Sequence, residues 1–148
     1  MLEITALDLG DTAALDAYAD VRIAAQAVDR PDEPAPARER IIASLREANP
    51  DFSEVLRFVA RRDGEGVGSA TIGLLGGVNA RLAVGPVTVH PRHRRRGVGT
   101  ALLEAVLPRL RAHGRDVLAS WGSPRAARAS TGPSRAGSAW PRRGCCRR

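Results

Sequence analysis

The sequence predicts one mixed α/β (α+β) domain over residues 1–121, followed by a disordered tail over residues 122–148. Three observations carry this. Two apolar runs, Val55–Arg61 and Val67–Leu75, flank the turn signal Asp63-Gly64-Glu65-Gly66, the pattern of an antiparallel hairpin. Apolar residues recur at helical spacing in three further segments. A strand, a helix and another strand then follow one another from Arg81 to Trp121, the order of a right-handed crossover between parallel strands.

Met1–Leu7 alternates apolar and polar residues and reads as a short first strand. Asp8 or Asp11 can cap the helix that follows, whose face is set by Leu15, Tyr18, Val21, Ile23 and Ala25 and which runs to Asp29. Pro31-Asp32-Glu33-Pro34-Ala35-Pro36 breaks it. A second helix is expected over Ala37–Ala48 with Ile41, Ile42 and Leu45 inward, and Asn49-Pro50 ends it. After the hairpin, Gly76-Gly77 interrupts the pattern and Arg81–Val89 reads as one more strand. Gly85-Pro86 sits inside that strand, where proline lacks a ladder donor, so a bulge or a strand edge is expected there. A helix from Val98 to His113 follows, with Leu102, Leu103, Val106, Leu107 and Leu110 on its buried stripe and Gly114 as its stop. Pro108 inside it predicts a kink. Arg115–Trp121 reads as the last strand.

The chain has 148 residues, enough for one domain with a single core. No apolar run approaches the roughly 20 residues needed to span a bilayer. The start, Met1-Leu2-Glu3-Ile4, lacks the basic and apolar pattern of a secretory leader, so a cytoplasmic protein is expected. The net charge of +7 is a property of the tail. Seven of the 23 basic residues lie after Trp121, and all 16 acidic residues lie at or before Asp116, so the body is neutral. A neutral body argues against a nucleic-acid-binding fold, whose footprint is a basic face. Every basic residue is arginine, which excludes a Schiff-base lysine and the lysine of a nucleotide-binding P-loop. The tail, Gly122–Arg148, has no Leu, Ile, Val, Met or Phe in its 27 residues and cannot offset the entropy of ordering. Its abrupt onset is also what an out-of-frame reading of GC-rich DNA would give. The only cysteines, Cys145 and Cys146, lie in it as unpaired neighbours that cannot form a zinc site alone.

Function is concentrated in Val87–Leu103. An apolar strand, Val87-Thr88-Val89, runs through His90-Pro91 into Arg92-His93-Arg94-Arg95-Arg96, then Gly97-Val98-Gly99-Thr100 and a leucine pair. A helix N-terminus carries unpaired amides and roughly half a positive charge. Glycines allow a ligand to approach those amides closely, and arginines add charge-assisted donors, so this segment suits a diphosphate. A basic nucleic-acid patch is the competing reading, but glycines and a helix follow directly and no aromatic residues are interleaved for base stacking. His90 and His93 read as solvated loop residues, since no carboxylate or thiol lies near them in sequence and no metal site is expected.

These residues resemble the acyl-CoA-binding signature of the GNAT family of N-acetyltransferases, whose core is Gln/Arg-x-x-Gly-x-Gly/Ala and which stands here as Arg94-Arg95-Arg96-Gly97-Val98-Gly99. The resemblance implies a GNAT-like, mostly antiparallel sheet flanked by helices, and transfer of an acetyl group from acetyl-CoA to a primary amine. It implies a cofactor site made by Val87, Thr88 and Val89, whose backbone would pair with the pantetheine arm, and by Arg94, Arg95, Arg96, Gly97, Val98, Gly99 and Thr100 at the diphosphate. That pairing needs a gap where Val87–Val89 parts from the last strand. The family's final helix and strands are not legible past Trp121, so the fold is expected to be incomplete at the C-terminus and a homo-oligomer is conceivable.

No catalytic residue is assigned. No acid occurs between Glu65 and Glu104, the one tyrosine, Tyr18, lies far ahead of the motif, and His90 at the strand end is the one conceivable base. The alternatives are a non-catalytic acyl-CoA-binding pseudoenzyme or a truncated piece of a longer, tandem acetyltransferase. The acceptor is not legible.

Overall fold

The structure, a computed structural model, describes residues 1–120. The expected tail, the boundary at residue 121 and both cysteines lie outside the described residues. In chain order the elements are β1 (Leu2–Ala6), α1 (Thr12–Asp29), α2 (Arg38–Arg46), β2 (Phe52–Arg62), β3 (Glu65–Leu75), β4 (Leu82–Val84), β5 (Val87–Val89), α3 (Val98–Ala112) and β6 (Val117–Ala119), with short 3₁₀ turns at Gly77–Asn79 and Pro91–His93.

The sheet runs β1-β2-β3-β4-β6, and β5 also pairs with β3. All neighbours are antiparallel except β4 and β6, which are parallel with Leu82 opposite Val117. The β2–β3 hairpin closes on Asp63 and Gly64, both with positive φ (51° and 83°), the mirror-image turn that matches strand twist. β2 extends past its apolar run at both ends and β3 at its start, with register irregularities between Phe52 and Glu54 and between Ala60 and Arg61.

Helices cover both faces. On one, α3 sets Val98, Leu102, Val106 and Leu110, an i, i+4 stripe, against Leu56, Phe58, Ala60, Ala70, Ile72 and Leu74. Leu103 and Leu107 are only half-buried. Pro108 lies within α3, which nevertheless continues to Ala112 and stops before Gly114 at φ 72°. On the other face, α1 and α2 pack Ala14, Leu15, Tyr18, Ile41 and Leu45 around Val59. Asp11 is the N-cap of α1 and accepts from the Ala14 amide at 3.2 Å, while Asp8 accepts from Gly10.

The strand expected over Arg81–Val89 is two strands. Gly85 and Pro86 interrupt it, yet no residue is inserted: Leu74 opposite Ala83 and Gly68 opposite Val89 belong to one continuous register. The expected bulge is therefore a local break without slippage. The Thr71 amide still donates to the Pro86 carbonyl at 3.1 Å, whereas Gly85, at φ 156°, donates to Ala119 of β6 at 3.1 Å. A Cβ on Gly85 would overlap the Thr71 carbonyl oxygen, so glycine is required by the close approach of β3.

Candidate functional site

The register fixes which way each backbone group of β5 points. His90 donates to the Val67 carbonyl at 2.8 Å, and Thr71 donates to Pro86. In an antiparallel pair, exchanging residues alternate. Thr88 therefore bonds with Ser69, and the N–H and C=O of Val87 and Val89 point away from β3. They continue the side on which Gly85 meets Ala119. Among the described residues, no strand lies beside β5 on that side. The course of the last strand past Ser120, and so the expected gap, lies outside the described residues. Of the three strand residues singled out from the sequence, Val87 and Val89 offer outward backbone groups and Thr88 spends its own in the sheet. The Val87 and Val89 side chains pack on the α3 core.

Directly after β5 the chain turns through two left-handed residues, Arg95 (φ 61°) and Gly97 (φ 80°), and enters α3 with Gly97 as N-cap. Among the described residues no side chain caps this end, and its first turn holds no acid, so the amides of Val98, Gly99 and Thr100 have no intrahelical acceptor. A Cβ on Gly97 would meet nothing within 4 Å, and one on Gly99 would lie 3.5 Å from a Val89 methyl. The loop surface there is open to a ligand.

The arginines divide. Arg92, Arg95 and Arg96 are exposed, and none makes an ion pair with a described residue. Arg94 turns inward. Its Nη1 and Nη2 each donate to Asp29 at 2.7 Å, and its Nε donates to the Val89 carbonyl at 3.2 Å. The motif places Arg94 among the phosphate donors, whereas in the structure its guanidinium ties α1, β5 and the loop together. Asp29 carried no sequence signal for this except an acid at a helix C-terminus, against the macrodipole.

A cavity of about 650 Å³ lies beside the loop, lined by Asp16, Asp20 and Arg38 from the helices, Gly64–Gly66 from the hairpin turn, and His90, Arg92 and His93. Arg38 pairs with Asp16 at 3.2 Å and with Asp20, and the hydrogen bond to Asp20 raises its pKa. His90 lines this cavity and is held below its ordinary pKa by burial, then by His93 and Arg92. Its Nδ1 accepts from the Arg92 amide at 3.2 Å. In the neutral ring the proton then sits on Nε2, so the free edge of His90 donates rather than accepts. Tyr18, remote in sequence, does reach the middle of the sheet. Its hydroxyl lies 2.6 Å from Thr71 Oγ1, directly opposite Pro86 at the strand break, with Arg22 Nη1 at 3.5 Å.

Residues 16–129 match the acetyltransferase (GNAT) family profile. The chain belongs to the GNAT family. Among solved structures, this GNAT chain is similar to a tandem GNAT protein from the clavulanic acid biosynthesis pathway, at 28% identity and TM-score 0.70, covering 87% of this chain and 42% of that one. It thus spans less than half the length of that relative. An aminoglycoside acetyltransferase from an uncultured soil metagenomic sample shares its fold at 20% identity and TM-score 0.65, covering 86% of this chain and 82% of that one. So does the ribosomal-protein-S18-alanine N-acetyltransferase from Escherichia coli, at 23% identity and TM-score 0.61, covering 87% of this chain and 73% of that one. No curated protein matches the sequence significantly. The mixed, mostly antiparallel sheet flanked by helices is the GNAT fold expected from the motif. No helix among the described residues is long and apolar enough to cross a membrane.

Proposed function

We propose that the chain is an N-acetyltransferase that moves an acetyl group from acetyl-CoA to a primary amine. The observation that carries this is the passage from outward backbone groups on Val87 and Val89 into the uncapped, glycine-opened start of α3. The strand offers Val87 N–H, Val87 C=O and Val89 N–H to an extended amide-bearing arm, as an added strand would be held. The loop then offers the amides of Val98, Gly99 and Thr100 and the charges of Arg95 and Arg96 to a diphosphate. A linear ligand with two amides at one end and a diphosphate at the other fits that order, and acyl-CoA has it. When bound, acetyl-CoA supplies an acyl group activated as a thioester. A CoA-dependent reaction draws on the intracellular CoA pool, which supports a cytoplasmic location.

Val87–Gly97 carries no carboxylate, and His90 Nδ1 is engaged by the Arg92 amide. That favours acceptors whose amine is already neutral in part at working pH. It also keeps a second reading in view, a GNAT domain that binds acyl-CoA without turnover. Calorimetry with CoA on the full chain tests the shared claim: heat that saturates is expected, and none at millimolar CoA overturns it. Mass-spectrometric detection of acetylated product from a panel of primary amines then separates enzyme from binder.

A further inference from the structure

We propose that Asp29 is a positioning residue for the acyl-CoA site, holding Arg94 so that the diphosphate loop keeps a fixed place relative to the β5 edge. This rests on the acyl-CoA reading above. Arg94 touches three elements at once: Asp29 at the end of α1 through both terminal nitrogens, the Val89 carbonyl through Nε, and the loop through its own backbone. The pair is substantially withdrawn from water, with side-chain exposures of 26% for Arg94 and 13% for Asp29. A bidentate guanidinium–carboxylate fork of this kind fixes orientation as well as distance.

The anchor is itself held. Tyr18, three turns earlier on α1, bonds Thr71 of β3 at 2.6 Å. Between Tyr18 and Asp29 the helix is a strut of about 16 Å. The sheet therefore sets α1, α1 sets Asp29, and Asp29 sets Arg94. The residue after Arg94 is the left-handed Arg95, and Gly97 follows two further on. A loop with two left-handed residues reverts to other conformations unless something outside it specifies this one. The tie supplies that specification and also withdraws the Val89 carbonyl from the ligand, leaving three outward strand groups. Asp29 has no helical reason to be there: a carboxylate at a C-terminus opposes the macrodipole, and the last turn of α1 holds no basic residue to balance it.

Two roles for Asp29 predict opposite signs. If Arg94 were a phosphate ligand merely neutralised by Asp29, removing the carboxylate would free a cation, delete a negative charge near an anionic ligand, and tighten CoA binding. If Asp29 positions the loop, the same change weakens binding, because ordering the loop must then be met from binding energy. We expect Asp29→Asn to raise the Kd for CoA by about tenfold in the full chain. Arg94→Lys, which keeps the charge but cannot form the fork, is expected to weaken binding about as much as Arg94→Gln. The double variant Asp29→Asn/Arg94→Gln is expected to be no weaker than the worse single one, and Asp29→Glu to recover most of the loss. Circular dichroism melts on each variant establish that it is folded at the binding temperature, and Arg94→Lys carries the test should Asp29→Asn not fold. Equal or tighter binding by folded Asp29→Asn, or wild-type affinity in Arg94→Lys, overturns the proposal while leaving the acyl-CoA reading intact. A wild-type chain that takes up no CoA overturns that reading, and the positioning role with it.

Discussion

Gly97→Ala separates the conformational demand of the loop from its contact with ligand. Gly97 holds φ 80° and ψ 5° as the N-cap of α3. An L-residue in the left-handed region costs about 1–2 kcal/mol through crowding between its Cβ and the following carbonyl. No packing term adds to this, because a Cβ at position 97 would meet no atom within 4 Å. The stability loss should therefore stay near that figure, a fall in Tm of roughly 3–8 °C. A domain with about 5–15 kcal/mol of stability remains folded. Ligand binding should suffer separately. The new methyl occupies the open side of the loop, where the proposed diphosphate would approach, and would keep at least one phosphate oxygen from an amide. One lost charge-assisted hydrogen bond is worth about 1.5–3 kcal/mol, or roughly tenfold to a hundredfold in Kd. Thermal melts with and without CoA, followed by calorimetry, read both numbers. A folded Gly97→Ala chain with wild-type CoA affinity would refute the assignment of this loop, and a stability loss well beyond 2 kcal/mol would refute the open geometry.

Gly85→Ala is expected to be far more damaging, since its methyl overlaps the Thr71 carbonyl and must push β4 and β5 off β3; a loss of about 3 kcal/mol or more, or no soluble folded protein, is expected in urea melts. His90 makes stability depend on pH. Its folded pKa lies below the unfolded value of about 6.5, so between the two the unfolded chain binds more protons, and stability rises with pH through that window and is lost as pH falls through it. His90→Asn, whose side-chain oxygen can still accept from the Arg92 amide, should flatten that part of the profile in urea melts followed across the window, and an unchanged slope would assign the effect to other groups.

Much of the scaffold is legible from residue spacing because its elements are decided locally. The alternation in Leu2–Ala6, the Asp63-Gly64 turn and the Val98, Leu102, Val106, Leu110 stripe each specify their own structure without reference to the rest of the chain. The Gly85-Pro86 interruption was legible as a place but not as a kind, since whether a strand slips or merely breaks is settled by the partner strand. Side-chain direction is the part that sequence hides. Arg92, Arg94, Arg95 and Arg96 are one basic run on paper, yet one of them faces inward because a carboxylate 65 residues away in sequence lies within reach. Tyr18 lies far from the motif in sequence, yet α1 carries it to Thr71 of β3. Both are long-range polar contacts, which leave no periodic trace.

The unbroken register at Gly85 matters more to the site than the break itself. Successive residues of a strand present backbone and side chain to opposite sides, so one inserted residue flips everything beyond it. A bulge at Gly85-Pro86 would have turned Thr88 outward, buried the backbone groups of Val87 and Val89 against β3, and swung both valines off the α3 core toward α1. The observed break avoids this: Leu74 with Ala83 and Gly68 with Val89 share one register, and the valines stay on the core. Beyond the Gly85–Ala119 bond the outward backbone groups therefore keep to the same side. An exposed strand edge invites unwanted pairing. Among the described residues the open edge of β5 is three residues long, with one of its carbonyls taken by Arg94, which leaves three groups for the extended arm proposed above. On this argument the same two features, a glycine that lets β3 approach and an arginine that takes the Val89 carbonyl, delimit the strand groups that the proposed acyl-CoA arm would use and the point where the proposed diphosphate loop begins.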